Sequence, residues 1–159
     1  MRTKTGVIVN HIINFISKIL NKLFEFNCRR RLKNDNFSII CSTCIGGVIY
    51  HRLGLQFLSP TINLWINQKD FIKFISNLEF YINKELVFFK HEVYNYPVAT
   101  LANDVTIYFN HAKNEEEARE LWNKRRSRIN FNNLYIILYE RDGITTDDLH
   151  SLNTIKCKI

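Results

Sequence analysis

Between residues 7 and 26 the apolar side chains Ile8, Ile12, Phe15, Ile16, Ile19, Leu20 and Leu23 recur at spacings of three and four, tracing one helical stripe. Asn10, Asn14, Lys18, Asn21, Lys22 and Glu25 fall mainly on the other side. The pattern predicts an amphipathic helix that leads into Arg29-Arg30-Arg31 and Lys33. Such a helix has two uses. It can cover the domain's own core or a partner, or it can lie on an anionic membrane with its arginines at the headgroups.

After Asn34-Asp35-Asn36 the period changes. Phe37-Ser38-Ile39-Ile40-Cys41 reads as a short buried strand. Ser42 or Thr43 can cap a helix that starts near Cys44 and runs to Leu53, with Gly54 as its stop. Ser59-Pro60 precedes a predicted strand over Thr61 to Ile66. A helix is expected from Asp70 to Asn83, with Phe71, Phe74, Ile75, Leu78 and Ile82 on one face. Further strands are expected at Leu86 to Phe89, Tyr96 to Leu101 and Val105 to Phe109.

Asn114 followed by Glu117 has the form of a capping box. The helix it opens carries Glu115, Glu116 and Glu117 at its start and Lys124 to Arg128 at its end, which complements the helix dipole. Leu134 to Tyr139 is the clearest strand, and Arg141-Asp142-Gly143 turns toward a short helix at Thr146 to Leu152. Alternating strands and helices point to an α/β fold with a largely parallel or mixed sheet. The organisation expected is a basic amphipathic helix over residues 1–33 and a single α/β domain over residues 34–159.

Composition narrows the picture. A chain of 159 residues with 46% hydrophobic positions is long enough for one core, and five Gly with two Pro leave no candidate linker. The net charge of +7 concentrates in two clusters, Arg29-Arg30-Arg31 with Lys33 and Lys124-Arg125-Arg126 with Arg128. Each is either an anion site or a solvated helix face. No nucleic-acid-reading module is recognisable, so nucleic acid is not an expected partner. No apolar run reaches the ~18 residues of a spanning helix, and no leader pattern is visible, so a cytoplasmic setting with reduced thiols is expected.

Three constellations carry candidate chemistry. Cys41-x-x-Cys44 has a spacing compatible with zinc or a redox pair, but no second ligand pair accompanies it. Cys41 is therefore expected to be a buried structural thiol, and neither a metal nor a cofactor is expected. Cys44, Gly46 and Gly47 sit at a helix start beyond a strand end, where N–H groups can receive an anion; close helix-to-sheet packing explains the glycines equally well. Asp104, His111 and Arg141-Asp142 flank strands and would converge at one sheet edge if those strands run parallel. His111, Asp104 and Asp142 are then the acid–base candidates, with Arg125, Arg126 and Arg141 as phosphate holders.

Taken together, the segments at residues 37–47, Gly54-Leu55, Ser59-Pro60-Thr61, Asp70-Phe71, Tyr96-Pro97, Phe109-Asn110-His111, Glu116-Glu117-Ala118, Arg128-Ile129-Asn130 and Glu140-Arg141-Asp142-Gly143 resemble an uncharacterised bacterial family. Members of that family often lie in capsule and exopolysaccharide gene clusters. Asp104 with Ile107, Trp122 and Arg125-Arg126 belong to the same ordered set. The resemblance implies a three-layer α/β/α fold and a role in making surface polysaccharide. It also implies two departures: family members carry Asn where Thr43 stands, and they continue past Arg141-Asp142-Gly143 through another strand-like stretch, so the C-terminal end is expected to be shortened.

Two classes of function follow from that resemblance. As an enzyme the chain would be a transferase acting on a phosphate-bearing sugar donor or a lipid-linked glycan. As a non-catalytic assembly or regulatory factor it would dock to polysaccharide machinery at the inner face of the membrane, through a peripheral contact of residues 7–31.

Overall fold

A computed structural model of the chain describes residues 4–139 and 145–152. The chain divides into two compact units, Met1–Asp35 with Ile49–Gln56, and Asn36–Val48 with Phe57–Ile159.

The first unit is dominated by α1 (Lys4–Arg31), whose last turn carries Arg29, Arg30 and Arg31 where the helix dipole favours positive charge. Within this unit Ile12, Phe15, Ile16, Leu20, Leu23 and Phe26 remain exposed, each by half or more. Arg52 lies 5.8 Å from the Phe24 ring centroid, and Arg29 Nη1 donates to the Gly54 carbonyl at 3.5 Å. Gly54 adopts a φ of 61° and ends α2 (Ile45–Leu53), the stop expected of a glycine in the left-handed region. Among the described residues, no helix is long and apolar enough to cross a membrane.

The second unit is built on two small sheets. β1 (Ser38–Cys41) pairs in parallel with β5 (Leu134–Ile137), with Ile40 opposite Ile136. β2 (Leu86–Phe89), β3 (Val98–Leu101) and β4 (Val105–Tyr108) form an antiparallel meander. Among the described residues, parallel pairing is thus confined to one strand pair. The reason is the short β3–β4 connection, in which Ala102 and Asn103 both take positive φ (53° and 57°) and fold the chain straight back.

The strand predicted over Thr61 to Ile66 is absent. The segment is a turn, with Asn63 at φ 59°, followed by a single bridge between Trp65 and Tyr108. Its polar groups explain why. Thr61 Oγ1 accepts the Cys41 N–H at 3.1 Å, so a side chain takes the bond that a neighbouring strand would take. Trp65 and Tyr108 exchange two backbone bonds of 2.9 Å, and the Ile66 N–H donates to the Ser42 carbonyl at 3.1 Å. These bonds tie the parallel pair to the meander.

The helix predicted from Asp70 to Asn83 is two helices, α3 (Gln68–Ser76) and α4 (Leu78–Ile82), separated at Asn77, whose φ of −140° is not helical. Its predicted apolar face holds: Phe71, Phe74, Ile75, Leu78 and Ile82 are all buried. The Asn67 side chain caps α3 by accepting the Asp70 N–H at 2.9 Å, and Asp70 in turn accepts the Thr106 N–H at 2.9 Å, fixing α3 to β4. α5 (Glu115–Arg126) starts as its sequence foretells, with Asn114 accepting from the Glu117 N–H at 2.8 Å. The Glu117 carboxylate reaches back to the Lys113 N–H at 2.7 Å, one residue before the usual capping-box target. The short helix α6 (Thr146–Leu152) also forms where it is expected. Trp122 of α5 is buried between Phe74 and Phe109, at ring-centroid distances of 6.4 and 6.3 Å.

Candidate functional site

β1 delivers the chain to Ser42, Thr43 and Cys44, and β4 delivers it to Asn110 and His111. Both strand ends open on one cleft of about 290 Å³, walled by Thr43, Cys44, Trp65, Tyr94, Tyr96 and Asn110. Three of the seven lining residues, Trp65, Tyr94 and Tyr96, are aromatic, and Tyr108 packs behind them. Tyr94 stacks on Tyr96 at 4.9 Å and meets Tyr108 edge-on at 5.5 Å, while Trp65 lies 4.2 Å from Tyr108. Such ring pairs hold one another rigid, leaving flat apolar faces beside a few polar groups, the make-up of a small-molecule site.

Cys44 Sγ lies 3.4 Å from His111 Nε2. Cys44 is the residue before α2, and its carbonyl accepts the Val48 N–H at 3.2 Å, so the thiol stands at the positive end of a helix dipole. Cys41 behaves differently, as its place in an apolar strand foretells. It is fully buried, burial pushes its thiol pKa up, and its sulfur contacts the Thr43 carbonyl at 3.0 Å.

A second, smaller pocket of about 60 Å³ adjoins the first, lined by Asn63, Leu64, Phe109, His111, Trp122 and Arg125. Leu64 lines both spaces, and His111 reaches from the pocket to the cleft residue Cys44. Most of its lining is apolar, Pro60, Ile62, Ala112 and Leu121 included, with Asn63, His111, Trp122 and Arg125 as its polar side chains. The buried Trp122 Nε1–H finds no acceptor among the described residues. Arg125 donates to the Ile62 carbonyl at 2.7 Å and stacks on Phe57 at 5.3 Å; burial, with Arg128 nearby, lowers its pKa. Among the described residues no carboxylate forms an ion pair with it.

The predicted site residues scatter. Cys44, His111 and Arg125 come together around the cleft and its pocket. Gly46 and Gly47 do not face a ligand: a Cβ at Gly46 would meet Cys41 Sγ at 2.6 Å and Ile62 Cδ1 at 2.9 Å, and one at Gly47 would run into the Asn63 side chain. Close packing of α2 is the reason for both glycines. Arg126 serves the fold, donating to the carbonyls of Ile82 and Lys84 at 3.1 and 3.2 Å, where α4 ends.

Asp104 does not converge with His111, because the two flank opposite ends of β4. It accepts from Lys73 Nζ and Tyr81 OH, both at 2.6 Å, and these partners, Lys73 first, hold its carboxyl below the ordinary range. Arg141 and Asp142 lie outside the described residues, as does the end of the chain. What sequence reasoning missed is the aromatic wall. A Tyr94-x-Tyr96-Pro97 stretch in a polar loop was its one signal.

The molecule is therefore an α/β protein whose candidate site lies where the parallel pair and the meander meet, beyond two strand ends. It belongs to the family described as Domain of unknown function (DUF1919), which matches residues 15–158. It is also similar to an uncharacterized protein of Haemophilus influenzae, 37% identical over 147 residues, a match covering 90% of this chain and 70% of the relative.

Proposed function

We propose that the protein is a transferase in bacterial capsule or exopolysaccharide biosynthesis, taking a phosphate-bearing sugar or a lipid-linked glycan as donor. The observation that carries this reading is the junction of two unlike spaces at the Cys44–His111 contact. One is a cleft whose Trp65, Tyr94 and Tyr96 suit the C–H faces of a sugar ring, and the other is a largely apolar pocket in which Arg125 and His111 can meet an anion. A volume of about 60 Å³ corresponds to roughly four water-sized probes, the bulk of one phosphoryl group. In this reading the two tied sheets form the middle of a three-layer α/β/α arrangement.

A thermal-shift series with sugar nucleotides, sugar 1-phosphates and polyprenyl phosphates tests the donor class, because a ligand of the folded state raises its melting temperature. A shift with a phosphorylated sugar, weakened in Tyr94→Ala and in Arg125→Lys, is the expected result. No shift from any of them overturns the reading. In cells, unchanged surface polysaccharide in a folded His111→Ala strain would remove the enzyme.

A second reading rests on α1. Its exposed apolar stripe followed by Arg29, Arg30 and Arg31 is the pattern of a helix that lies in an anionic interface. On that reading the chain is an assembly or regulatory factor held at the inner face of the membrane. Co-sedimentation with anionic vesicles that is unaffected by Phe15→Asp and Leu20→Asp would refute it.

A further inference from the structure

Cys44 has properties that donor binding alone does not require. It is partly exposed, lines the aromatic cleft, stands at the start of α2 and touches an imidazole nitrogen. Cys41, three residues earlier, is buried and bonded into the backbone. A thiol at a helix start with a histidine beside it is the arrangement that activates sulfur as a nucleophile. The same histidine lines the pocket sized for a phosphoryl group, where a half-buried Arg125 lacks an anionic partner among the described residues and the Trp122 N–H lacks an acceptor.

We propose that Cys44 is the catalytic nucleophile of a phosphoryl transfer, with His111 as its proton carrier; this rests on the sugar-phosphate reading above. His111 Nε2 takes the proton from Cys44 Sγ. The thiolate attacks phosphorus, an S–P bond forms, and the P–O bond to the donor's leaving group breaks. The electron pair goes to that oxygen, which departs opposite sulfur as the anion of a phosphate leaving group and takes any proton it needs from water. An acceptor hydroxyl then attacks the S-phosphocysteine from the side opposite sulfur and gives its proton to water. A new P–O bond forms, the S–P bond breaks, and the imidazolium of His111 returns its proton to the departing sulfur. The phosphoryl group has moved from donor to acceptor, and nothing is oxidised or reduced. Arg125 faces the anionic oxygens through both steps.

Alkylation of the full-length protein by iodoacetamide at neutral pH, followed residue by residue with peptide mass spectrometry, tests this. Cys44 is expected to react about ten-fold faster than Cys28. A folded His111→Gln variant should lose roughly that ten-fold advantage. Orthovanadate, a phosphoryl mimic, should slow the reaction of Cys44 and not that of Cys28, and Arg125→Gln should lift the protection, with Arg125→Lys as the second variant if Arg125→Gln does not fold. Equal rates at Cys44 and Cys28, no change in His111→Gln, or no protection by orthovanadate would each overturn the proposal. Sugar-phosphate thermal shifts measured in parallel separate the two failures. Binding with an unreactive Cys44 sinks the thiol step alone, whereas no binding sinks the reading beneath it.

Discussion

At the start of β4, Asp104 accepts from Lys73 and Tyr81, and the turn before it closes through the Asp104 N–H to the Leu101 carbonyl at 3.1 Å. At the other end of the same strand, Tyr108 belongs to an aromatic wall and His111 touches Cys44 at the border of two empty spaces. The strand's two ends carry similar residue types with opposite outcomes. Where acid, cation and hydroxyl satisfy one another, they pin a helix to a strand. At the pocket, Arg125 has a carbonyl partner but no carboxylate, and the Trp122 N–H has no acceptor among the described residues, so they are left for something else. Partnering, rather than residue type, separates a structural cluster from a candidate site.

The largest expected effect comes from Gly46→Ala, which strikes the cleft end. Its new methyl must displace Cys41 Sγ or Ile62, and overpacking of this kind destabilises by about 1–3 kcal/mol, read from the urea midpoint. Because α2 carries Cys44 at its start, the alkylation rate of Cys44 should change with it. An unaltered midpoint would mean that α2 can move away cheaply.

Tyr81→Phe strikes the pinned end. Loss of the hydrogen bond to Asp104 should destabilise by about 1 kcal/mol and leave iodoacetamide labelling of Cys44 untouched. A changed rate would show that the ends are coupled. Burial and the Asp104 bond push the Tyr81 pKa up to about 12, above its ordinary 10.0, so this contribution is complete below pH 10 and is lost as pH rises toward 12.

Asp104 gives the opposite sign. Its pKa is lowered from 3.8, so its stabilisation is present above that value and disappears as pH falls through the lower folded value. Thermal unfolding of Asp104→Asn should therefore lose part of the acid-side dependence seen in the parent. A parallel shift at every pH would argue against the pin.

The smallest effect is expected from Ala102→Gly. Ala102 holds a φ of 53°, which glycine adopts without strain, so the change should stabilise by roughly 0.5 kcal/mol, offset in part by the greater freedom of the unfolded chain. A destabilised hairpin would show that the turn is held by more than its backbone.

Much of this fold was legible wherever a signal is local. The α1 stripe, the Asn114 cap, the Gly54 stop and the burial of Cys41 depend on residues within one or two turns of each other. Thr61 to Ile66 was misread because its hydrophobic and β-branched content suits a strand, while the Thr61 hydroxyl spends itself on the Cys41 N–H. The site was legible only in pieces. Cys44 stands out in the sequence for its helix N-terminus and His111 as an acid–base candidate, with nothing to pair the two, and Arg125 and Arg126 adjoin in sequence yet point to different parts of the molecule, one to the Ile62 carbonyl beside the pocket and the other to the end of α4.

By itself the sequence determined most helices and strands, the buried face of residues 71–82 and the α/β class, though not the break at Asn77, because hydrophobic period, caps and turn residues act over a few positions. Tertiary structure alone decided the pairing of Cys44 with His111, the capture of Asp104 by Lys73 and Tyr81, and the aromatic cleft. The first and last join side chains brought close when β1 and β4 are tied together through the 61–66 segment, the second when α3 and α4 pack on β4, and no local pattern encodes such meetings.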